Sequence, residues 1–161
     1  MKACHTEVMK MIRELEEQKS LLLQKEDEIS TVSYREDEKK IDEGYSYDSV
    51  RKSVRELDDR VRKLRSTLAK ANCTVKVDKF NVTIGEALIM LAQLQHERMQ
   101  VESLARRRQI TRRITANGVL EFTECAYDIQ KASDDAKALR DTINDLQMAI
   151  DRANLTNFVE V

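Results

Sequence analysis

The chain has 161 residues, of which 35% are charged and 4% aromatic, with three glycines, no proline and a net charge of −1. So few chain-breaking residues favour a small number of long helices, and the near-neutral charge excludes attraction to nucleic acid or acidic membranes through bulk charge. Three widely spaced cysteines, a polar N-terminus and apolar runs no longer than 87–92 predict a cytoplasmic protein without a disulfide framework or a membrane span.

Residues 1–74 are predicted to form a first helical hairpin, with helices over about 4–27 and 48–71. The second of these helices carries apolar residues at alternating intervals of four and three, the spacing of a coiled-coil seam. The positions between them are mostly charged or polar, so the opposite face is expected to be solvated. The predicted seam consists of Val50, Val54, Leu57, Val61, Leu64, Leu68 and Ala71.

A linker over 75–82 leads to a second predicted hairpin over 83–161, with helices over about 84–109 and 124–153 and an extended C-terminal tail. The linker and the tail both alternate apolar and polar residues, as short strands do. We therefore expect them to pair with each other or to cover one end of the bundle. The last helix repeats the four-three spacing at Ala132, Ala136, Leu139, Ile143, Leu146, Ile150 and Ala153.

Local signals predict where three of the helices begin. Thr83 and Glu86 have the spacing of a capping box, in which each side chain bonds the backbone N–H of the other residue. Ser46 or Asp48 can cap the second helix, and Thr123 the fourth.

The two hairpin tips differ in character. The first loop, about 28–47, is rich in acidic residues, whereas the second contains Asn117-Gly118 between two alternating segments. Asn-Gly in this setting is the strongest short-range signal of a β-hairpin, so the second tip is predicted to be a β-ribbon. The first loop is interpreted as a degraded counterpart. Its charged residues include Arg35, Glu36, Asp37, Glu38, Lys39, Lys40, Asp42 and Glu43.

The two halves of the chain resemble each other. Their final helices end in Ala71-Asn72-Cys73-Thr74 and Ala153-Asn154-Leu155-Thr156, and their seams superpose on one offset. This indicates an internal duplication. The predicted fold is therefore all-α, with two duplicated antiparallel helical hairpins forming a four-helix bundle, a small β-ribbon at the second tip and a short extended linker and tail.

With these segments in view, the chain resembles a family of small uncharacterised bacterial helical proteins, some labelled septicolysin-like. The resemblance covers most of the chain and rests on the Glu86-Ala87-Leu88 helix start, on 68–74 and on 150–156. Leu155 stands where the family usually has a tryptophan. The resemblance implies a helical fold. The septicolysin label also implies a membrane-active haemolysin, which the polar N-terminus and the short apolar runs of this chain disfavour.

No catalytic or cofactor motif stands out in the sequence. His5 and His96 lie on different helices without a partner at metal-ligand spacing, and Cys4, Cys73 and Cys125 are far apart. No Gly-rich phosphate loop or nucleophile motif is present. We therefore predict no catalytic residues, no metal, no cofactor and no enzymatic activity.

The most distinctive polar feature is a run of arginines where the third helix enters the second tip. Guanidinium groups match phosphate oxygens, so a nucleic-acid or phosphate-ligand site is one interpretation. The favoured alternative is that this basic tip complements the acidic first loop, within the bundle or across a subunit boundary. The candidate residues are Arg106, Arg107, Arg108, Arg112 and Arg113.

Leu21, Leu22 and Leu23 place apolar side chains on more than one face of the first helix, which predicts a second packing partner and hence a homo-oligomer. The sequence assigns no reaction. It favours a non-catalytic oligomeric structural or protein-interaction module with an unidentified protein partner, and nucleic-acid binding is the alternative. The methionines are interpreted as core filler: Met9, Met11, Met90 and Met99.

Overall fold

The computed structural model describes residues 1–39 and 44–161, so Lys40, Asp42 and Glu43 of the predicted acidic loop lie outside the described residues. The described chain is dominated by α-helices and carries small antiparallel sheets. In chain order the elements are β1 (Lys2–Cys4), α1 (His5–Ile29), α2 (Tyr47–Thr74), β2 (Lys76–Val77), a 3₁₀ turn (Asp78–Phe80), β3 (Val82–Thr83), α3 (Ile84–Ala105), β4 (Ile110–Ile114), β5 (Leu120–Glu124), α4 (Ile129–Thr156) and β6 (Phe158–Glu160).

Side-chain caps fix where the helices begin. The Thr83–Glu86 capping box is confirmed: the backbone N–H of Glu86 donates to the Thr83 hydroxyl at 3.2 Å, and the backbone N–H of Thr83 donates to the Glu86 carboxylate at 2.7 Å. At the start of α1, the backbone N–H of Cys4 donates to Glu7 at 2.7 Å. Because Cys4 and Glu7 repeat the second of these bonds, α1 and α3 begin in the same way.

The fourth helix begins later than the sequence predicts. Asp128 precedes α4 and accepts backbone N–H groups from Gln130 and Lys131 at 2.8 and 3.3 Å. The prediction that Thr123 caps this helix is wrong, because Thr123 lies in β5 opposite Thr111. Glu124, the first residue of the predicted helix, lies in β5 opposite Ile110 instead.

Three two-stranded antiparallel sheets occur in the described part of the chain: β1–β6, β2–β3 and β4–β5. The expected pairing of linker with tail is wrong. Asn81, at φ 52°, reverses the chain after the 3₁₀ turn, and its backbone N–H donates to the Val77 carbonyl at 2.9 Å. The linker therefore folds back on itself as β2–β3, and the tail pairs with β1, with Val159 opposite Ala3.

The chain divides into two compact units, which we call unit 1 (residues 1–72 and 154–161) and unit 2 (residues 73–153). The core of unit 1 is formed by Ala3, Val8 and Ile12, with Leu64 and Val159 packed against it. The core of unit 2 contains the buried residues Val77, Ile84, Ala87, Leu146, Ile150 and Ala153.

The α2 seam packs against the core of unit 1 through Val61, Leu64 and Leu68, and the α4 seam supplies part of the core of unit 2. In α4, every predicted seam residue is buried except Leu139, which is half-buried. Met11 packs against the core of unit 1 and Met90 against that of unit 2. The core-filler interpretation is wrong for Met9 and Met99, which are exposed. Within the residues described, none of the helices combines the length and the apolarity needed to cross a membrane.

Candidate functional site

The second tip forms the predicted β-ribbon from β4 and β5, in unit 2. Thr115 and Gly118 close its turn, with the Gly118 N–H donating to the Thr115 carbonyl at 2.9 Å. Gly118 has φ +73°, whereas Asn117 keeps a negative φ. The turn is therefore a type I turn followed by a glycine in the left-handed conformation, one of the common hairpin connections. We call β4, its turn and β5 the ribbon.

All ten strand residues of the ribbon are exposed. Because residues directly opposite each other share a face, one face is largely apolar, and Ile114 and Phe122 on it are 74% and 61% exposed. Thr111, Arg113 and Glu121 lie on the other face. We define the ribbon face as Ile110, Arg112, Ile114, Leu120, Phe122 and Glu124.

The five arginines of the predicted basic cluster are all exposed, but they do not act alike. Arg113 pairs with Glu121 across the ribbon at 2.7 Å, and Arg106 lies 3.7 Å from Glu102. Glu102 also lies within 3.5 Å of Arg98 and Arg140, so its carboxylate is surrounded by guanidinium groups. The three other members make no ion pair among the described residues: Arg107, Arg108 and Arg112.

Several bonds fix the base of the ribbon where it leaves α3. The Cys125 N–H donates to the Gln109 carbonyl at 2.9 Å, and the Gln109 side chain donates to the Cys125 carbonyl at 3.0 Å. The Tyr127 hydroxyl donates to the Leu104 carbonyl at 2.9 Å. Burial raises the pKa of Tyr127 above its ordinary value of 10.0. Tyr127 was not predicted from the sequence, where its position beside the predicted hairpin was the available signal.

A second exposed surface runs along α3. Ile89 and Met99 are 63% and 57% exposed, and Leu88 and Ala92 are exposed beside them. The His96 and Gln100 side chains are hydrogen-bonded at 3.0 Å on the same side of the helix. We define the α3 stripe as Gly85, Leu88, Ile89, Ala92, Gln95, His96 and Met99, all exposed except the half-buried Gly85.

The α3 stripe was not predicted from the sequence, in which Met90 and Met99 were interpreted as core filler and the other apolar residues of this helix were given no partner face. A signal was present in the sequence, because apolar residues lie all around α3. A helix with one packed face needs apolar residues on that face only. A short apolar run cannot distinguish a core face from a partner face, since both exclude charge.

The predicted partner face on α1 is divided in the structure. Leu21 is 60% exposed, whereas Leu22 and Leu23 are half-buried. Of the two histidines considered as metal ligands in the sequence, His5 is buried and His96 is exposed. Among the described residues, no three His, Cys, Asp or Glu side chains converge as metal ligands would.

A polar cluster that the sequence did not indicate closes the first loop of unit 1. The Tyr45 hydroxyl donates to Glu26 at 2.7 Å, and Arg51 also pairs with Glu26. The guanidinium of Arg51 lies over the Tyr47 ring, 5.6 Å from its centroid. The hydrogen bond to Glu26 raises the pKa of Tyr45 above its ordinary value of 10.0. The carboxylate of Glu26 is therefore occupied by its bonds to Tyr45 and Arg51.

The fold and these surfaces define a mainly helical protein with two compact units and a ribbon exposed on both faces. No family model matches the chain, and no curated protein matches it. Its structure is similar to the crystal structure of a functionally unknown conserved protein from Corynebacterium diphtheriae, which is 16% identical, with a TM-score of 0.63 over 99% of this chain and 100% of that one. At this identity the likeness shows the fold alone.

Proposed function

We propose that this protein is a non-catalytic protein-interaction module that self-associates through unit 2. The observation that carries the proposal is the ribbon, whose strand residues are all exposed although one face is apolar. An isolated two-stranded ribbon is at best marginally stable in water. Covering the ribbon face would bury large apolar side chains, each contributing roughly 1.5–3 kcal/mol. The free thiols of Cys4, Cys73 and Cys125 support a cytoplasmic location.

We also propose that the chain is a duplicated pair of antiparallel helical hairpins forming a four-helix bundle. Glu7 and Glu86 make equivalent capping bonds at the starts of α1 and α3. The helices α2 and α4 are both 28 residues long and end on Thr74 and Thr156, the last residues of the repeated Ala-Asn-x-Thr sequence. We include membership of the septicolysin-like family in this proposal, and we use it to support the fold and no activity.

Light scattering on a size-exclusion column tests the self-association. We expect the wild type to elute as an oligomer and Leu120→Ser/Phe122→Ser to shift toward the monomer, because the double change removes apolar area from the ribbon face. Thr111→Ala/Thr123→Ala on the other face is the matched control and should elute like the wild type. A wild type that stays monomeric at every concentration would refute self-association.

A second candidate function is binding of a phosphate ligand or nucleic acid. The observation that favours it is the absence of an acidic partner for Arg107, Arg108 and Arg112 among the described residues. Replacing all three with Ala should abolish retention on single-stranded RNA or duplex DNA at low salt, because the phosphate contacts that supply the affinity are lost. For duplex DNA, each lost contact also reduces the slope of log K against log salt concentration by about 0.9. Arg106→Ala/Arg113→Ala, which removes paired arginines, should have a smaller effect. Retention that survives the triple change would exclude this site.

A further inference from the structure

We propose that the α3 stripe is a two-fold dimer interface occupied by α3 of a second copy, running antiparallel with the two Ala92 residues at the axis. This inference rests on the proposed self-association and adds to the ribbon face a second contact surface of the same dimer, so that disrupting either surface favours the monomer. Three properties of the described residues support it: the missing charge on the stripe, its contrast with α1, and the match of large to small side chains.

The first property is the absence of charge. From Gly85 to Met99, about four helical turns, the side of α3 that carries the stripe has no charged residue, although 35% of the chain is charged. The helix carries charges at Glu86, Glu97 and Arg98, away from the stripe, and at Glu102, which follows the stripe and pairs with arginines. Charged residues are depleted at the centre of protein interfaces, and an uncharged surface can meet its own copy without like-charge repulsion.

The second property is the contrast with α1, the counterpart of α3 in the proposed duplication. Aligning Glu7 with Glu86 by their capping bonds places Arg13 at the position of Ala92 and Glu17 at that of His96. The α1 residues matching the exposed part of the stripe are themselves exposed, and most are charged: Met9, Lys10, Arg13, Glu16, Glu17 and Ser20. The fold therefore tolerates a solvated face at this position, and its loss in α3 points to a covering partner.

The third property is self-complementarity about Ala92. In an antiparallel pair centred there, residues equally far before and after Ala92 meet across the axis. Met99 of one copy then lies over Gly85 of the other, and His96 meets Leu88. A parallel, in-register pair would place methionine on methionine at one end and glycine on glycine at the other, so the helices could not keep the even 8–10 Å separation of packed helices.

The expected dimer is weak. One face of a 22-residue helix, about 33 Å long and roughly 10 Å wide, covers about 330 Å², which is smaller than the roughly 800 Å² per partner of a standard interface. We therefore expect a dimer that dissociates on dilution.

Sedimentation velocity over a dilution series tests the surface. We expect Ala92→Arg and Ala92→Glu each to sediment as a monomer with an unchanged circular dichroism spectrum, because like charges meet at the axis. An equimolar mixture of the two variants should recover the dimer, since position 92 then faces the opposite charge. The matched control is Arg13→Glu, at the equivalent position of α1, which should leave the dimer intact.

The outcomes separate this inference from the proposed function. If the wild type self-associates and Ala92→Arg does so equally, the α3 stripe is excluded while self-association stands. If the wild type is monomeric throughout, self-association itself is refuted and the stripe inference falls with it. If both single variants are monomers and their equimolar mixture also fails to dimerise, the two-fold axis at Ala92 is wrong.

Oxidative cross-linking tests the antiparallel direction. In a background with Cys73→Ser/Cys125→Ser, a mixture of Leu88→Cys and His96→Cys proteins should form a disulfide-linked dimer, because these positions meet across the axis. Each variant alone should remain uncross-linked. Efficient cross-linking of either variant with itself would overturn the antiparallel arrangement.

Discussion

At the start of α3, one carboxylate oxygen of Glu86 accepts the backbone N–H and the hydroxyl of Thr83, at 2.7 and 2.8 Å. The backbone bond, followed by the hydroxyl bond, holds the pKa of Glu86 below its ordinary value of 4.5. Folding therefore favours the ionised carboxylate. Its contribution to stability is present above about pH 4.5 and is lost as the pH falls through the lower pKa of the folded state.

We expect Glu86→Gln to lower the thermal midpoint of unfolding near neutral pH. The difference in thermal midpoint between the variant and the wild type should become smaller as the solution is acidified below about pH 4.5. Thermal unfolding followed by circular dichroism across this range measures the gap. Glu97→Gln, an exposed change on the same helix, is the control and should show a small gap at every pH. A gap for Glu86→Gln that does not change with pH would contradict the capping role.

His5 is a buried polar residue of unit 1, only 3% exposed, and neither ring nitrogen bonds another described residue. An unpaired buried polar group costs about 1–3 kcal/mol. We therefore expect His5→Leu to raise the free energy of unfolding by about 1–2 kcal/mol in urea titrations. His5→Gln keeps a polar group at the same position and should give no gain; equal stabilisation by both variants would rule out this explanation.

At the scale of the element, α4 shows how one helix divides its residues between core and solvent. Leu146 is fully buried in the core of unit 2, whereas Met148, two residues later, is exposed. We expect Leu146→Ala to lower the free energy of unfolding by about 2–5 kcal/mol, from lost burial and the cavity left behind. Met148→Ala should change it by less than about 0.5 kcal/mol. If both variants lose the same free energy of unfolding in chemical denaturation, Leu146 is not part of the core.

The types of the elements could be predicted from local patterns, whereas the end of α3 and the start of α4 could not. The four-three spacing of α4 and the Asn117-Gly118 ribbon were both predicted, because each depends on residues close together in the sequence. The C-terminal end of α3 was predicted at 109 and lies at Ala105, and the start of α4 was predicted at 124 and lies at Ile129. Glu124 pairs with Ile110 in the ribbon, and local propensity does not describe such hydrogen bonding between two segments.

At the scale of the whole molecule, each unit combines segments that are distant in sequence. Unit 1 joins β1 to β6, and the half-buried Val159 of β6 packs against the core formed by Ala3, Val8 and Ile12. A charge at this position would have to be desolvated in that core.

We expect Val159→Asp to reduce hydrogen-exchange protection throughout unit 1 while unit 2 keeps most of its protection. The loss in unit 1 should correspond to about 2–3 kcal/mol. Phe158→Asp, on the exposed side of the same strand, is the matched control and should leave both units protected. Uniform loss of protection across the two units would contradict independent cores.

The site was less predictable than the fold. The sequence located the arginines and the ribbon, but it could not indicate that Arg106 and Arg113 have acidic partners and that Arg107, Arg108 and Arg112 do not. It also assigned Met99 to the core. Ion pairing and exposure depend on what surrounds a side chain in space, and one sequence does not specify those neighbours.

The sequence by itself determined the helical character, the faces of α2 and α4 that turn toward a core, and the ribbon, because periodicity and turn chemistry act over a few residues. Only the tertiary structure decided that β6 pairs with β1 and that the apolar residues of the α3 stripe are left exposed. Both depend on contacts between residues far apart along the chain, and burial is a property of those contacts rather than of the amino-acid pattern.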